Sequence, residues 1–179
     1  MIKIIENAIP LSMQNYVEHT FMSATLPWNY ISGITGGNTY GVRDDVDGWA
    51  FVVRKQGQPL SHLDDLAMCL IMVAADKADV ELNFVERIRA GLFTPIGKEL
   101  VHCSHVDYDY PHMAMLYYVC DSDGPTVFYD TEGNVIQSVD PKNGTAVIFD
   151  GTIRHSSSSP VEARRRVVIN YNFNPGNGN

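Results

Sequence analysis

The sequence predicts a mostly β protein, an antiparallel sandwich or jelly-roll with supporting α-helices packed outside it, on three observations. From about residue 84 the apolar residues recur with a period of two in short runs rich in β-branched and aromatic side chains. Turn clusters, SDGP, TEGN and DPKNG, separate those runs. Before residue 84, two segments carry apolar residues at helical spacing instead. Helices followed by seven short strands with tight turns fit two packed layers of sheet with helices on the outside.

Taken in order, the first element is a helix near 12–22 in PLSMQNYVEHTFM, with Ser12 as its cap and Met13, Tyr16, Val17 and Phe21 at helical spacing. The second spans SHLDDLAMCLIMVAADKA. There Ser61 and Asp64 stand in a capping-box arrangement and Leu63, Leu66, Ala67, Leu70, Val73 and Ala74 form one stripe, which covers a face of the sheet. The strands are NFVERIRAGL, ELVHCSHVD, MAMLYYVC, TVFYD, NVIQSVD, TAVIFD and RRVVINYNF. At 179 residues, one domain is expected over 1–179, with helical support mainly in 1–83, the β core in about 84–173 and a polar tail at 174–179.

Composition narrows the function. A formal net charge of -8 argues against nonspecific binding to nucleic acid or anionic lipid. Cys69, Cys103 and Cys120 form no CxxC and no disulfide framework, which suggests a reducing compartment. The N-terminal segment MIKIIENAIPLSM lacks a signal-peptide core, and the apolar run AMCLIMVAA is too short to span a bilayer. A cytoplasmic protein without membrane partners is expected.

The chemistry concentrates in HCSHVDYDYPHM, residues 102–113. In an extended strand His105 and Asp107 project together, whereas His102 projects the other way. Asp109 shares the parity of Asp107, but Pro111 marks the end of the strand. The spacing alone is weak: with six His and fourteen Asp, about half of random sequences would contain a His-x-Asp. His62 and Asp64 make a second copy at a helix start, where residues two apart point roughly 200° apart and cannot close on one ion. His155, beyond the strand TAVIFD, raises the first copy, since two histidines and one carboxylate make the facial triad of non-haem Fe(II) oxygenases. Many such enzymes use 2-oxoglutarate, whose far carboxylate needs a buried, permanently charged partner such as arginine.

The order HVD at 105–107, LYYVCDSDGPT at 116–126, VIFDGTIRH at 147–155 and RRVVINYNF at 165–173 resembles the Fe(II)/2-oxoglutarate-dependent dioxygenases of the prolyl-4-hydroxylase-like group, and in particular its compact members in tailed phages and marine viruses. The resemblance covers roughly residues 84–173. It implies a double-stranded β-helix core with helices on its larger sheet, His105, Asp107 and His155 as iron ligands, and Tyr118 as a hydrogen-bond donor to 2-oxoglutarate. It also implies that an arginine of Arg164–Arg166 binds the distal carboxylate. Strand parity selects Arg166, which shares a face with Val168, Asn170 and Asn172, while Arg165 shares the continuously apolar face of Val167, Ile169, Tyr171 and Phe173. Tyr117 and Tyr118 face opposite ways, one packed and the other wet.

The implied activity is hydroxylation of a substrate C–H bond with release of succinate and carbon dioxide, using Fe(II), 2-oxoglutarate and O2, with ascorbate as reductant. A peptidyl proline, free amino acid, nucleobase or sugar could each be the target. Only eight residues separate Asp107 from Leu116, so any substrate-covering loop there is short. Two rival readings keep part of the pattern: a cupin-like metal-dependent dioxygenase that does not use 2-oxoglutarate, and a non-enzymatic β-sandwich module of a virus.

Overall fold

Alternation along the central strands divides the apolar residues into two layers, one under the helices and one between sheets. The computed structural model describes residues 1–34 and 46–175. Residues 176–179 of the expected polar tail lie outside the described residues. In chain order the elements are β1 (Ile2–Ile5), α1 (Leu11–Phe21), β2 (Asn29–Ile31), β3 (Gly48–Lys55), β4 (Gln58–Pro59), α2 (Asp64–Ala78), β5 (Phe84–Phe93), β6 (Leu100–Val101), β7 (Met113–Tyr118), β8 (Thr126–Tyr129), β9 (Val135–Val139), β10 (Ala146–Asp150), β11 (Arg154–Ser156), β12 (Ser158–Ser159) and β13 (Arg166–Asn174).

The larger sheet runs β1-β10-β7-β13-β5-β3-β2, with β4 paired to β3. A three-stranded sheet, β11-β8-β9, faces it, and β12 pairs with β6. All the described pairings are antiparallel, which gives the jelly-roll architecture expected. Met115, Tyr117, Ala146, Ile148, Val167, Ile169, Tyr171 and Phe173 project from the larger sheet against Val17 and Phe21 of α1 and Ala67, Leu70, Ile71 and Ala74 of α2. The alternate residues Leu116, Tyr118, Val147, Phe149 and Val168 pack against Phe128 and Val139 of the smaller sheet. The second layer lies beside the site.

Five expectations need correction. The first 83 residues are not simply helical: β1, β2, β3 and β4 lie there and all join the larger sheet. Ser12 does not cap α1. The helix starts at Pro10, whose fixed φ suits a helix entry and whose carbonyl accepts from the N–H groups of Met13 and Gln14. Ser61 and Asp64 form no capping box, because the Asp64 carboxylate pairs with Arg54 of β3. The stripe of α2 is also rotated: Ile71, Ala75 and Ala78 are buried while Val73 is 38% exposed.

The fifth correction bears on the site. ELVHCSHVD is not a continuous strand. After β6, regular pairing lapses until an isolated bridge joins His105 to His155. Val101 pairs with Ser158, so four steps on one side face three on the other, and the segment carries one extra residue. Such a bulge re-aims side chains at a sheet margin.

Candidate metal centre

The bridge between His105 and His155 is the foundation of the site. Each residue donates its N–H to the other's carbonyl at 2.9 Å, and this holds the two rings 4.8 Å apart. His155 is anchored on β11 and its ring meets Phe149 edge-on at 4.9 Å. Both imidazoles place Nδ1 near a carbonyl two residues back, 3.2 Å for His105 to Cys103 and 3.1 Å for His155 to Ile153. A carbonyl oxygen only accepts, so Nδ1 carries the proton and Nε2 keeps its lone pair. Burial, reinforced by His105, pushes the pKa of His155 down to about 4 against the opposing pull of Asp107, so its imidazole is neutral at pH 7.

Asp107 follows two residues later and completes the group. One ligand atom from each of His105, Asp107 and His155 lies within 4.8 Å of the others. Arg87 of β5 pairs with the aspartate Oδ1 at 2.6 Å, while Asn172 and Asn170 of β13 donate to Oδ2 at 2.8 and 3.1 Å. Burial alone would raise the carboxyl pKa, but the Arg87 guanidinium, the two histidines and Asn172 hold it well below the usual carboxylate range. A carboxylate offers about four lone-pair sites, so three donors leave room for one more bond. Two imidazole nitrogens and one ionised oxygen suit a divalent transition metal with open positions.

Arg166 lines the same cavity as these three side chains. It is 1% exposed, with its guanidinium near the rings of Phe93 and Tyr118, donating from Nε to the Gly124 carbonyl at 2.8 Å and from Nη2 to Thr126 Oγ1 at 2.7 Å. Nη1 has no hydrogen-bond partner. A buried cation with an unused donor fits an incoming carboxylate, since leaving it unpaired is costly. Gly124 allows this arrangement by close approach: a Cβ there would come within 2.6 Å of the Ser158 carbonyl oxygen.

Tyr118 lies on the site side and Tyr117 on the helix side, but both are fully buried, so neither is the wet partner expected. The Tyr118 hydroxyl donates to Thr126 Oγ1 at 2.8 Å. That oxygen accepts from both Tyr118 and Arg166, leaving the Thr126 O–H free to donate. Arg165 is exposed, as is Asp109, which is outside the ligand group. His102 sits apart among Ser157, Ser159 and Phe93. His112 is buried against Gly151, where a Cβ would come 2.1 Å from its ring.

The sequence reading missed Arg87, Arg89 and Thr126. Arg87 and Arg89 alternate with Ile88 and Ala90 in a pattern indistinguishable from the solvated face of an ordinary strand. Thr126, at the end of the DSDGPT turn, carried no separate signal.

No protein-family profile matches the chain, and no curated protein matches it in sequence. Solved structures do. A Pseudomonas putida prolyl-4-hydroxylase aligns over 97% of this chain and 92% of its own, with a TM-score of 0.63 and 16% identity. A 2OG-Fe(II) oxygenase family oxidoreductase from Burkholderia pseudomallei aligns over 97% and 84%, with a TM-score of 0.70 and 15% identity. A viral collagen prolyl hydroxylase from Paramecium bursaria Chlorella virus-1, solved as a 2OG complex, aligns over 96% and 94%, with a TM-score of 0.57 and 13% identity. The chain therefore has the fold of the prolyl-4-hydroxylases and 2OG-Fe(II) oxygenases, and the resemblance carried by its four motifs extends to its architecture. Among the described residues, no helix is long and apolar enough to cross a membrane.

Proposed function

We propose that the protein is an Fe(II)- and 2-oxoglutarate-dependent dioxygenase that hydroxylates a substrate C–H bond. The observation that carries this reading is the presence in one cavity of a two-histidine, one-carboxylate group and a fully buried arginine with an unused N–H. His105, Asp107 and His155 would hold the iron. Bound together, Fe(II), 2-oxoglutarate and O2 supply the oxidising chemistry, with succinate and carbon dioxide as coproducts.

The chain's own share is positioning. Arg166 receives the remote carboxylate of the cosubstrate, and the Thr126 O–H donates to the same group. Tyr118 fixes Thr126 and thus acts through it, a departure from the direct contact the resemblance implies. Leu116, Val168 and Phe93 give the cavity apolar walls, which strengthen charge pairing by excluding water. A cupin-like oxygenase without 2-oxoglutarate would have no use for Arg166.

The test is anaerobic titration. Fe(II) and 2-oxoglutarate together should produce a weak visible charge-transfer band that neither gives alone, and admission of O2 should yield succinate. A band with Fe(II) alone, unchanged by 2-oxoglutarate, would remove the cosubstrate from the reading. Ascorbate should prolong turnover by keeping the iron ferrous.

A further inference from the structure

The floor of the cavity is a grid of paired strands. On β5 and β13, Arg87 stands opposite Asn172, Arg89 opposite Asn170, Gly91 opposite Val168 and Phe93 opposite Arg166. Directly opposed residues share a face of a sheet, so this row runs from the Asp107 end to the Arg166 end. Arg89 is level with Asn170, which holds Asp107, and is four residues along the strands from Arg166, roughly 13 Å at the usual rise. Across β5 from Asn170, its other neighbour is Val52 of β3, which is 37% exposed. Arg89 thus stands at the metal end, on the side that opens to solvent.

Arg89 lines the cavity, yet among the described residues it makes no hydrogen bond and no ion pair. The other two arginines of the row are engaged, Arg87 by Asp107 and Arg166 by Gly124 and Thr126. Burial and the adjacent Arg87 charge disfavour the charged form of Arg89, and attraction to Asp107 offsets them only in part. A partly desolvated guanidinium without a hydrogen-bond acceptor recovers little of the hydration it has lost. The charge balance points the same way. Among the described residues, three guanidiniums face the single carboxylate of Asp107, a surplus of two positive charges, in a chain whose formal net charge is -8. A divalent metal and a dianionic cosubstrate cancel each other and leave that surplus unchanged. Glu86, the nearest acidic residue in sequence, accepts from the Tyr110 hydroxyl instead.

We propose that Arg89 is the anchor for an oxyanion on the primary substrate, a carboxylate or a phosphate ester, held beside the metal while Arg166 holds the cosubstrate. Arg89 lines a cavity that also holds His105, Asp107 and His155, and a planar guanidinium receives either oxyanion through two parallel hydrogen bonds. The inference rests on the proposed function for the places of metal and cosubstrate, but the charge at Arg89 can be probed separately.

The experiment uses full-length protein loaded with redox-silent Zn(II) and saturating 2-oxoglutarate, so that Arg166 is occupied. Sodium acetate and inorganic phosphate are each titrated against sodium chloride at matched ionic strength, with the melting temperature as readout. One oxyanion should raise it saturably in the millimolar range. Arg89→Gln should weaken that midpoint at least tenfold, and Arg89→Lys should restore part of it. Preference for acetate assigns a carboxylate substrate, and preference for phosphate assigns a phosphate ester. Without ligands, Arg89→Gln should melt no lower than wild type, since it removes an unpaired charge; a lower melting point would mark a structural role and overturn the proposal. So would the absence of any oxyanion-specific shift, or a shift that Arg89→Gln retains. If the oxyanion shift depends on Arg89 while 2-oxoglutarate gives no shift dependent on Arg166, the anchor stands and the dioxygenase reading falls.

Discussion

The chain contains two copies of His-x-Asp, and the structure treats them differently. His62 is exposed and Asp64 begins α2; His105 and Asp107 lie in an irregular extended segment beside a second histidine. Both aspartates take an arginine from a neighbouring strand, Asp64 from Arg54 and Asp107 from Arg87. A carboxylate–guanidinium pair therefore does not distinguish them. What does is the company of the histidine: His105 is locked to His155 by two backbone hydrogen bonds, and Asp107 takes two further donors from Asn170 and Asn172. A ligand motif becomes a site when a distant segment supplies the remaining ligand and fixes the direction of the first.

The largest expected effect separates the copies outright. Asp107→Ala should reduce Fe(II) or Zn(II) affinity at least a hundredfold, because it leaves two neutral donors beside an unpaired Arg87. His62→Ala should leave metal affinity unchanged. Calorimetric metal titration of the two variants makes the comparison, and equal losses would dissolve the distinction between the copies.

Next in size is the charge at the far end of the cavity. Arg166→Ala should weaken 2-oxoglutarate binding by one to three orders of magnitude, since a hydrogen bond to a charged group contributes about 1.5–3 kcal/mol and an unpaired carboxylate costs more. Metal affinity should survive. Arg165→Ala should change neither, because its side chain is exposed. A loss confined to Arg165→Ala would place the cosubstrate outside the cavity shared with His105, Asp107 and His155.

The same comparison shows what the sequence made legible. Strands β5, β7, β8, β9, β10 and β13 announced themselves by period two, and the parity of β13 separated Arg166 and Val168 from the apolar row Val167–Phe173. By contrast, β3 hid because a register shift between Val52 and Arg54 breaks its alternation. β1, IKII, is apolar at three of its four positions and shows no sustained alternation. Strand geometry grouped His105 with Asp107, and the structure brings them together by another route, a bulged segment held by one bridge. Arg87 and Arg89 were unreadable because a cation facing a cavity and a cation facing water leave the same mark on a strand.

The Asp64 copy yields a smaller effect, on stability. Its carboxylate and the Arg54 guanidinium are 9% and 16% exposed, so the pair is nearly buried without being dry. Asp64→Ala leaves Arg54 with only its bond to the Gly57 carbonyl and should destabilise the fold by about 2 kcal/mol, below the value for a fully buried pair because solvent still screens the arginine. Denaturant unfolding measures this. Metal affinity should not move, which makes the variant the mirror of Asp107→Ala.

The smallest effect tests whether Asp107 works through its orientation. Asn172 is fully buried and donates to Oδ2 at 2.8 Å, whereas Asn170 is less buried and donates at 3.1 Å. Arg87 holds the other oxygen, so removing one amide leaves the charge of Asp107 in place and loosens only its direction. Groups that orient a ligand typically contribute 10- to 100-fold in metal affinity. With two donors remaining, Asn172→Leu, which keeps the volume, should fall at the low end, about tenfold, and Asn170→Leu should cost about threefold because its bond is longer and wetter. Zn(II) titration at pH 7 reads both. If neither variant changes the affinity, Arg87 and the His105 bridge suffice to aim the carboxylate, and the two His-x-Asp copies then differ only in the histidine that each one meets.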